Sequence, residues 1–299
     1  MKAPMKKKRL FQIEYLPLKV TLCALNKADL PRYLGSTLRG VIGQSLYRTD
    51  REAYDFLYAN GKRIGEKQDV ANPYMIAPPV ARNEKNKFEK GEELEFKLLL
   101  WGEGKKYVRT LVSAMQDVDQ YGLGAERVPF ALTRIVNDGD QRLLWRNGNY
   151  FEMGENSIPI PHCEMINVSE AIVKLVTPLR IRRNGQLLEK ITFQTLIRNI
   201  TNRIRRITEL YGGWMDEKEA ERIQLLAAEV VAVQENLRME RLERYSNRLH
   251  EKMDFSGLLG EIEYEGNIDP FVPWLSAARI LQIGRNTTFG MGKIETFFS

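Results

Sequence analysis

Glycine, arginine and hydroxyl side chains gather in one ten-residue segment, GRNTTFGMGK at 284–293. Gly284, Gly290 and Gly292 let the backbone take positive φ and approach a ligand closely. Successive amides in such a loop can cup a phosphate. Arg285 and Lys293 add charge, Asn286, Thr287 and Thr288 add hydrogen bonds, and Phe289 is suited to stack on a base. The competing explanation is a tight helix-to-strand turn with Phe289 in the core. Two arginine clusters lie upstream. Arg198, Arg203, Arg205 and Arg206 fall on the polar side of a helical pattern with no acid until Glu209. Arg238, Arg241, Arg244 and Arg248 are interleaved with Glu240, Glu243 and Glu251; in a strand, Arg238 and Arg244 would share a face with Glu240. The two histidines, His162 and His250, have no His or Cys at ligand spacing, and no Walker loop, dinucleotide fingerprint or nucleophile elbow is present. No metal site, cofactor or catalytic triad is therefore expected. His162 reads as a linker residue. His250, among Arg244, Arg248 and Lys252, reads as a surface histidine.

The elements that must position these residues recur in the same order twice. In the first half, residues 10–25 alternate as a long strand, and LGSTLRGVIGQSLYR places Leu34, Leu38, Val41, Ile42 and Leu46 at helical spacing. A short strand at 73–80, a strand at 91–102, a helix at 105–119, a strand at 126–136 and a hairpin at 140–152 follow. In the second half, residues 170–181 form a strand. The best helix in the chain, 193–213, carries Phe193, Leu196, Ile197, Ile200, Ile204, Ile207 and Tyr211 as its apolar stripe, with Gly212 and Gly213 at its end. A second helix is expected at 217–233, and residues 235–249 fit helix or strand. A strand at 257–266, a helix opened by Asp269 as cap with Pro270 behind it, and a closing strand at 292–298 complete the chain. Each half reads β-α-β-β-α-β, the ferredoxin-like order. Tyr121-Gly-Leu-Gly and Phe289-Gly-Met-Gly, each between a last helix and a last strand, suggest duplication. The expected units are 1–162 and 163–299, joined through the turn-rich stretch 153–162.

The 299 residues carry 45 Lys+Arg against 39 Asp+Glu, a net charge of +6, which permits a polyanionic partner without requiring one. With 43% apolar and 28% charged residues the chain is expected to fold, and its length suits about two domains. No apolar run approaches membrane-spanning length. The basic start, MKAPMKKKRL, is not followed by a signal-peptide core, because Glu14, Pro17 and Lys19 interrupt it; KKKR is an alternative basic arm. Cys23 and Cys163 are expected to be core thiols in a reducing compartment, so a cytoplasmic location is expected, with no membrane partner.

Taken together, LPRYLGSTLRGVIGQSLYR, NPYMIAPP, GEELEFKLLLWG, YGLGAERVPF, TPLRI, LIRNITNRIRRITELYG, RYSNR, GLLGEIEYEG and IGRNTTFGMGKI resemble, in order, the CRISPR-associated "Cas six" proteins of the RAMP superfamily. The resemblance runs almost end to end, and the glycine-rich block is its most specific part. It implies an α+β fold of two tandem ferredoxin-like, RRM-like domains that bind CRISPR repeat RNA. It implies metal-independent cleavage of precursor crRNA by attack of a 2′-OH on the adjacent phosphate. The RNA-binding residues expected from the glycine loop and the arginine clusters are Arg198, Arg203, Arg206, Arg244, Arg248, Gly284, Arg285, Asn286, Thr287, Gly290, Gly292 and Lys293. Many relatives carry a histidine in the first helix, 35–48, where this chain has Gln44, and another before the glycine loop, where it has Gln282. The candidates left for catalysis are Gln44 itself, Tyr47, Arg39 and Arg48, with His250 more distant. An alternative function stays open, a non-catalytic crRNA-binding subunit of a larger ribonucleoprotein; a RAMP-like subunit contacting mainly protein fits the basic helix and intact loop less well. Further CRISPR subunits and a second copy of the chain are open partners.

Overall fold

A computed structural model describes residues 9–59, 71–79, 86–246 and 251–299. The first half builds its sheet around the strand Glu14–Ala24, whose apolar residues Leu16, Leu18, Val20 and Leu22 are wholly buried. Glu93–Trp101 pairs with it on one side and Phe130–Asn137 on the other, while Tyr74–Ala77 adds outside Glu93–Trp101. The second half repeats this arrangement. Glu170–Leu179 is central, flanked by Gly257–Glu265 and Ile294–Phe298, with Val231–Glu240 at the outer edge. Numbered within each half, both sheets have strand order 2-3-1-4 with antiparallel pairs throughout. This is the α+β, twice-ferredoxin-like fold. A hairpin, Leu143–Arg146 with Asn149–Tyr150, extends the first sheet through an Asn147-Gly148 turn with φ of 48° and 82°.

The two helices of each half pack on one another and on their sheet. The first helix, Gly35–Thr49, buries Leu38, Val41, Ile42 and Leu46 and meets Val108–Gln116. The basic helix, Phe193–Tyr211, is capped by Thr192, whose hydroxyl accepts the Thr195 amide, and buries its whole expected stripe. It packs on the last helix, Val272–Leu281. The halves are also stitched directly. Phe11–Gln12 pairs with Trp214–Met215, and the Tyr211 hydroxyl donates to the Ala71 carbonyl.

Five expectations are corrected. The helix expected at 217–233 runs only over Glu217–Leu226, and Val231–Glu240 is a strand. The β-branched run Val230-Val231 favours extended backbone, and Gly257–Glu265 offers an edge to pair with. This also settles the ambiguous ENLRME segment as strand. The 105–119 helix is broken into a 3₁₀ turn at Gly102–Tyr107, the helix Val108–Gln116 and a short turn at Val118–Tyr121. Asp269 does not cap the last helix: it starts a 3₁₀ turn, and its carboxylate accepts the amides of Asn167 at 3.0 Å and Val168 at 2.7 Å. Cys23 and Cys163 are half-buried rather than core, and Cys163 lies outside any strand. The YGLG and FGMG motifs are also not equivalent, as the site geometry makes plain. Of the basic start, residues 1–8 lie outside the described residues. No described helix is long and apolar enough to cross a membrane.

Candidate nucleic-acid interface

The glycine loop is a wedge between the two halves. Its 3₁₀ turn, Thr287–Phe289, follows Asn286 at φ 63° and ends on Gly290 at φ 84°. From the first half, the Tyr33 hydroxyl donates to the Phe289 carbonyl at 2.6 Å, and the Asn72 amide reaches the Thr288 hydroxyl at 3.2 Å. A Cβ on Gly35 would stand 1.9 Å from the Phe289 oxygen, and one on Gly290 would stand 2.5 Å from Pro78 Cδ and 2.8 Å from the Ile76 oxygen. From the second half, the amides of Gly292 and Lys293 bond to the Pro178 carbonyl and the Thr177 hydroxyl. These glycines therefore answer to close protein packing, the bland alternative of the sequence reading. Thr287 and Thr288 are buried, whereas Gly284, Arg285, Asn286 and Lys293 remain part-exposed.

Gln282 holds this wedge from inside. It is 2% exposed. With its amide nitrogen turned toward them, it donates to the carbonyls of Met291 at 2.9 Å and Gly290 at 3.3 Å. It ends the last helix at φ 54°, ψ 160°, a region that side-chain-bearing residues enter at a cost of about 1–3 kcal/mol. The first half shows what that position ordinarily takes: Gly122 ends the turn before its last strand at φ 66°, ψ 160°. Gly124 and Gly284, two residues further in each half, share φ 77°. The structural counterpart of Tyr121-Gly-Leu-Gly is thus Leu281-Gln-Ile-Gly, not Phe289-Gly-Met-Gly. A glutamine at a glycine position is explained by the two carbonyls that its amide satisfies. Being enclosed, it does not face a ligand, so the absence of histidine there removes no solvent-facing acid or base.

The first helix supplies the exposed face beside this wedge. It contains no Asp or Glu. Gly40, Gln44, Tyr47 and Arg48 are exposed, Tyr47 by 53%. Arg51, from the next helix, lies 4.3 Å over the Tyr47 ring, Tyr54 packs edge-on to it at 5.0 Å, and Arg48 lies 5.5 Å over Tyr121. Arg39 points the other way. Its Nε donates to the Tyr74 hydroxyl at 2.8 Å, and its guanidinium sits 4.6 Å over Tyr58 and 4.9 Å over Phe289. Tyr58 in turn packs where a Cβ on Gly43 would clash, 2.5 Å from its ring. Arg39 thus joins first helix, aromatic cluster and loop. Sequence reasoning missed Tyr33, Tyr58 and Tyr74; only their aromatic type hinted at a role.

The arginine clusters separate by position. Arg198 and Arg206 are exposed, while Arg205 pairs with Glu217 at 2.8 Å. Arg203 is tucked in, donating to the Leu281 carbonyl at 3.4 Å, and burial pulls its pKa down to about 10. It stays charged at neutral pH and caps the C-terminus of the last helix. Arg238 reaches Glu240 at 3.9 Å, on the face expected for a strand. Arg244 lies in the strand Glu243–Ser246, opposite Met253; Arg248 and His250 lie outside the described residues. His162 contacts Glu164 at 3.2 Å and the edge of Phe11, in the connection between the sheets.

One arginine that the sequence reading passed over is more deeply placed than any of these. Arg180 is 3% exposed and donates to the Ser256 carbonyl and to Asp254 at 3.1 Å. Burial works against the Asp254 carboxylate, but donation from Ser256 and Arg180 outweighs it and holds its pKa at about 2, below the ordinary 3.8. The folded value is the lower one, so this carboxylate contributes stability above pH ~4 and loses it as pH falls toward ~2. Asp254→Asn is therefore expected to lower Tm at pH 7, with the gap from wild type closing by pH ~2. A constant gap across that range, measured by thermal melts, would remove the ion pair from the account.

Residues 11–157 match a family model described as an N-terminal domain, and residues 173–294 match the model for CRISPR-associated endoribonuclease Cas6. No curated protein matches the sequence. Among solved structures, a product complex of Cas6 (TTHB231), a Thermus thermophilus protein, is similar over 95% of this chain and 100% of that one, with a TM-score of 0.62 and 15% identity. A Cas6 (TTHA0078) product complex is similar over 96% and 99%, with a TM-score of 0.54 and 18% identity. A partial Cas6-RT-Cas1–Cas2 complex is similar over 96% of this chain but 46% of that one, with a TM-score of 0.62 and 11% identity. At these identities the likeness is one of fold.

Proposed function

We propose, from the match of residues 173–294 to the Cas6 model and the shared fold, that the chain is a RAMP-type protein of the Cas6 family that binds CRISPR repeat RNA and processes precursor crRNA without a metal ion. In this reading the substrate 2′-hydroxyl gives up its proton as its oxygen forms a bond to the adjacent phosphorus, the bond from phosphorus to the 5′-oxygen breaks, and the leaving 5′-oxygen takes a proton. The observation that carries the reading is the exposed face of the first helix, whose own residues include no Asp or Glu and which Arg39 ties to the glycine wedge. Gln44 hydrogen-bonds the reacting ribose or phosphate, Tyr47 stands one turn away as proton carrier, and Arg48 offsets charge on the phosphate. Arg39 holds Phe289 and the loop rather than the reacting atoms. Arg198, Arg206, Arg285 and Lys293 contact backbone phosphates. The units 1–162 and 163–299 belong to the same proposal, supported by the confinement of each of the two larger sheets to one of them, with only the small pair Phe11–Gln12 and Trp214–Met215 bridging the two among the described residues. Other CRISPR proteins are proposed partners, in line with the neighbour solved in a complex with Cas1 and Cas2.

The second reading, a crRNA-holding subunit that does not cut, is favoured by Gln44, since glutamine cannot exchange a proton at neutral pH. The test is incubation with the chain's own repeat RNA in EDTA. Cut products ending in 2′,3′-cyclic phosphate and 5′-OH support processing, and tight binding without cutting supports the second reading. Binding itself is expected to weaken with salt. Arg198→Ala with Arg206→Ala should flatten the slope of log affinity against log salt by roughly one unit per lost contact; an unchanged slope removes the basic helix from the interface.

A further inference from the structure

Residues 180–188 hold three arginines and no carboxylate. The segment leaves the central strand of the second sheet and turns back on itself, Arg182–Arg183 pairing with Gln186–Leu187 across Asn184-Gly185. Those two turn residues have φ of 53° and 81°, the signs of a mirror-image turn that matches strand twist and makes a stiff two-residue hairpin. Neighbouring strand residues point to opposite faces. Arg182 reaches Asp254 at 3.8 Å, whereas Arg183 is exposed and makes no ion pair among the described residues. Asp254 is already bonded to Arg180 beneath, so one carboxylate serves two guanidiniums. Glu243, opposite Asp254 in the next hairpin, and the exposed Glu189, just past the hairpin, are further acids near this edge. The hairpin is also tied to the glycine loop: the Arg285 amide donates to the Arg180 carbonyl at 2.8 Å, and a Cβ on Gly284 would stand 2.6 Å from that oxygen. Arg285 thus joins Arg180, Arg182 and Arg183, and positive charge outnumbers negative at the flank of the loop.

We propose that the Arg182–Leu187 hairpin is a phosphate-contact subsite for RNA, in which Arg182 and Arg183, beside Arg285, neutralise backbone phosphates of the strand that passes the glycine loop. The proposal rests on the RNA-binding reading above. A guanidinium fork suits a phosphate, and a stiff hairpin loses little conformational freedom on binding. The contacts are to phosphate, so the subsite positions RNA without reading its sequence.

The experiment is fluorescence anisotropy with labelled repeat RNA over a salt series, on the full chain. Arg182→Ala with Arg183→Ala is expected to weaken binding roughly tenfold at moderate salt and to flatten the salt slope by about two units. Arg183→Ala alone removes a side chain with no ion-pair partner, so it keeps the fold and should flatten the slope by about one unit. Arg183→Lys should restore most of that slope. Arg146→Ala, an exposed arginine on the hairpin of the first sheet, should change nothing. Wild-type slopes in the hairpin variants, with wild-type binding intact, overturn the subsite and leave the functional reading standing. An equal loss in Arg146→Ala shows a general charge effect and likewise overturns it. A wild type that binds no RNA brings down both.

Discussion

Gln44→His is expected to raise the rate of repeat-RNA cleavage by about 10²–10⁴-fold, the usual worth of a positioned acid or base. The site explains why the gain should appear at this residue. Gln44 is exposed on a helix without carboxylates, one turn from Tyr47 and beside Arg48. The other departure from the family pattern, Gln282, is enclosed and occupied with two loop carbonyls, so a histidine there would meet no solvent-facing substrate. The new activity should carry an inflection near pH 6–7, where imidazole titrates, and wild type should lack it. It should persist in EDTA and vanish when the cut-site ribose is 2′-deoxy, because the nucleophile is then absent. Single-turnover rates on labelled RNA across pH decide the matter. Fast wild-type cleavage that Gln44→His leaves unchanged would place the reacting atoms elsewhere, and Tyr47 and Arg48 would lose their roles. Tight binding with no cutting by either protein would favour the non-catalytic subunit.

Gly292→Ala should destabilise the protein by about 2–5 kcal/mol. The new Cβ would lie 1.8 Å from the Ile283 carbonyl oxygen, at φ 73°. The backbone therefore has to move, costing ~1–3 kcal/mol for overpacking, on top of ~1–2 kcal/mol for the left-handed conformation. For a domain of this size that corresponds to a Tm lower by roughly 4–20 °C. Gly185→Ala is the matched control: its φ is 81°, yet nothing lies within 4 Å of the added carbon, so only the conformational part should remain. Equal Tm losses in the two variants would mean that φ alone matters. An unchanged Tm in Gly292→Ala, accompanied by loss of RNA binding, would return the glycine to a ligand-facing role.

Periodicity was enough for the framework. Leu38, Val41, Ile42 and Leu46 in the first helix, and the stripe from Phe193 to Tyr211, are buried as their spacing requires, because a helix that packs on a sheet must place its apolar residues along one face. The β-α-β-β-α-β order of both halves was legible for the same local reason, as was the carboxylate-free first helix with Gln44, Tyr47 and Arg48. What spacing could not give was anything depending on two distant segments meeting. Arg39 read as a catalytic candidate and Arg203 as a polar-face arginine, yet one is packed among Tyr58, Tyr74 and Phe289 and the other caps Leu281. Arg180 drew no notice, because its partners Asp254 and Ser256 lie more than seventy residues away. The glycine repeat misled for a related cause: FGMG looks like YGLG, but the backbone equivalent of Gly122 is Gln282. Sequence identity records side chains, whereas the fold preserves φ and ψ. A residue type ill-suited to that backbone survives when its side chain satisfies buried groups, here the carbonyls of Gly290 and Met291, which only the tertiary structure brings within its reach.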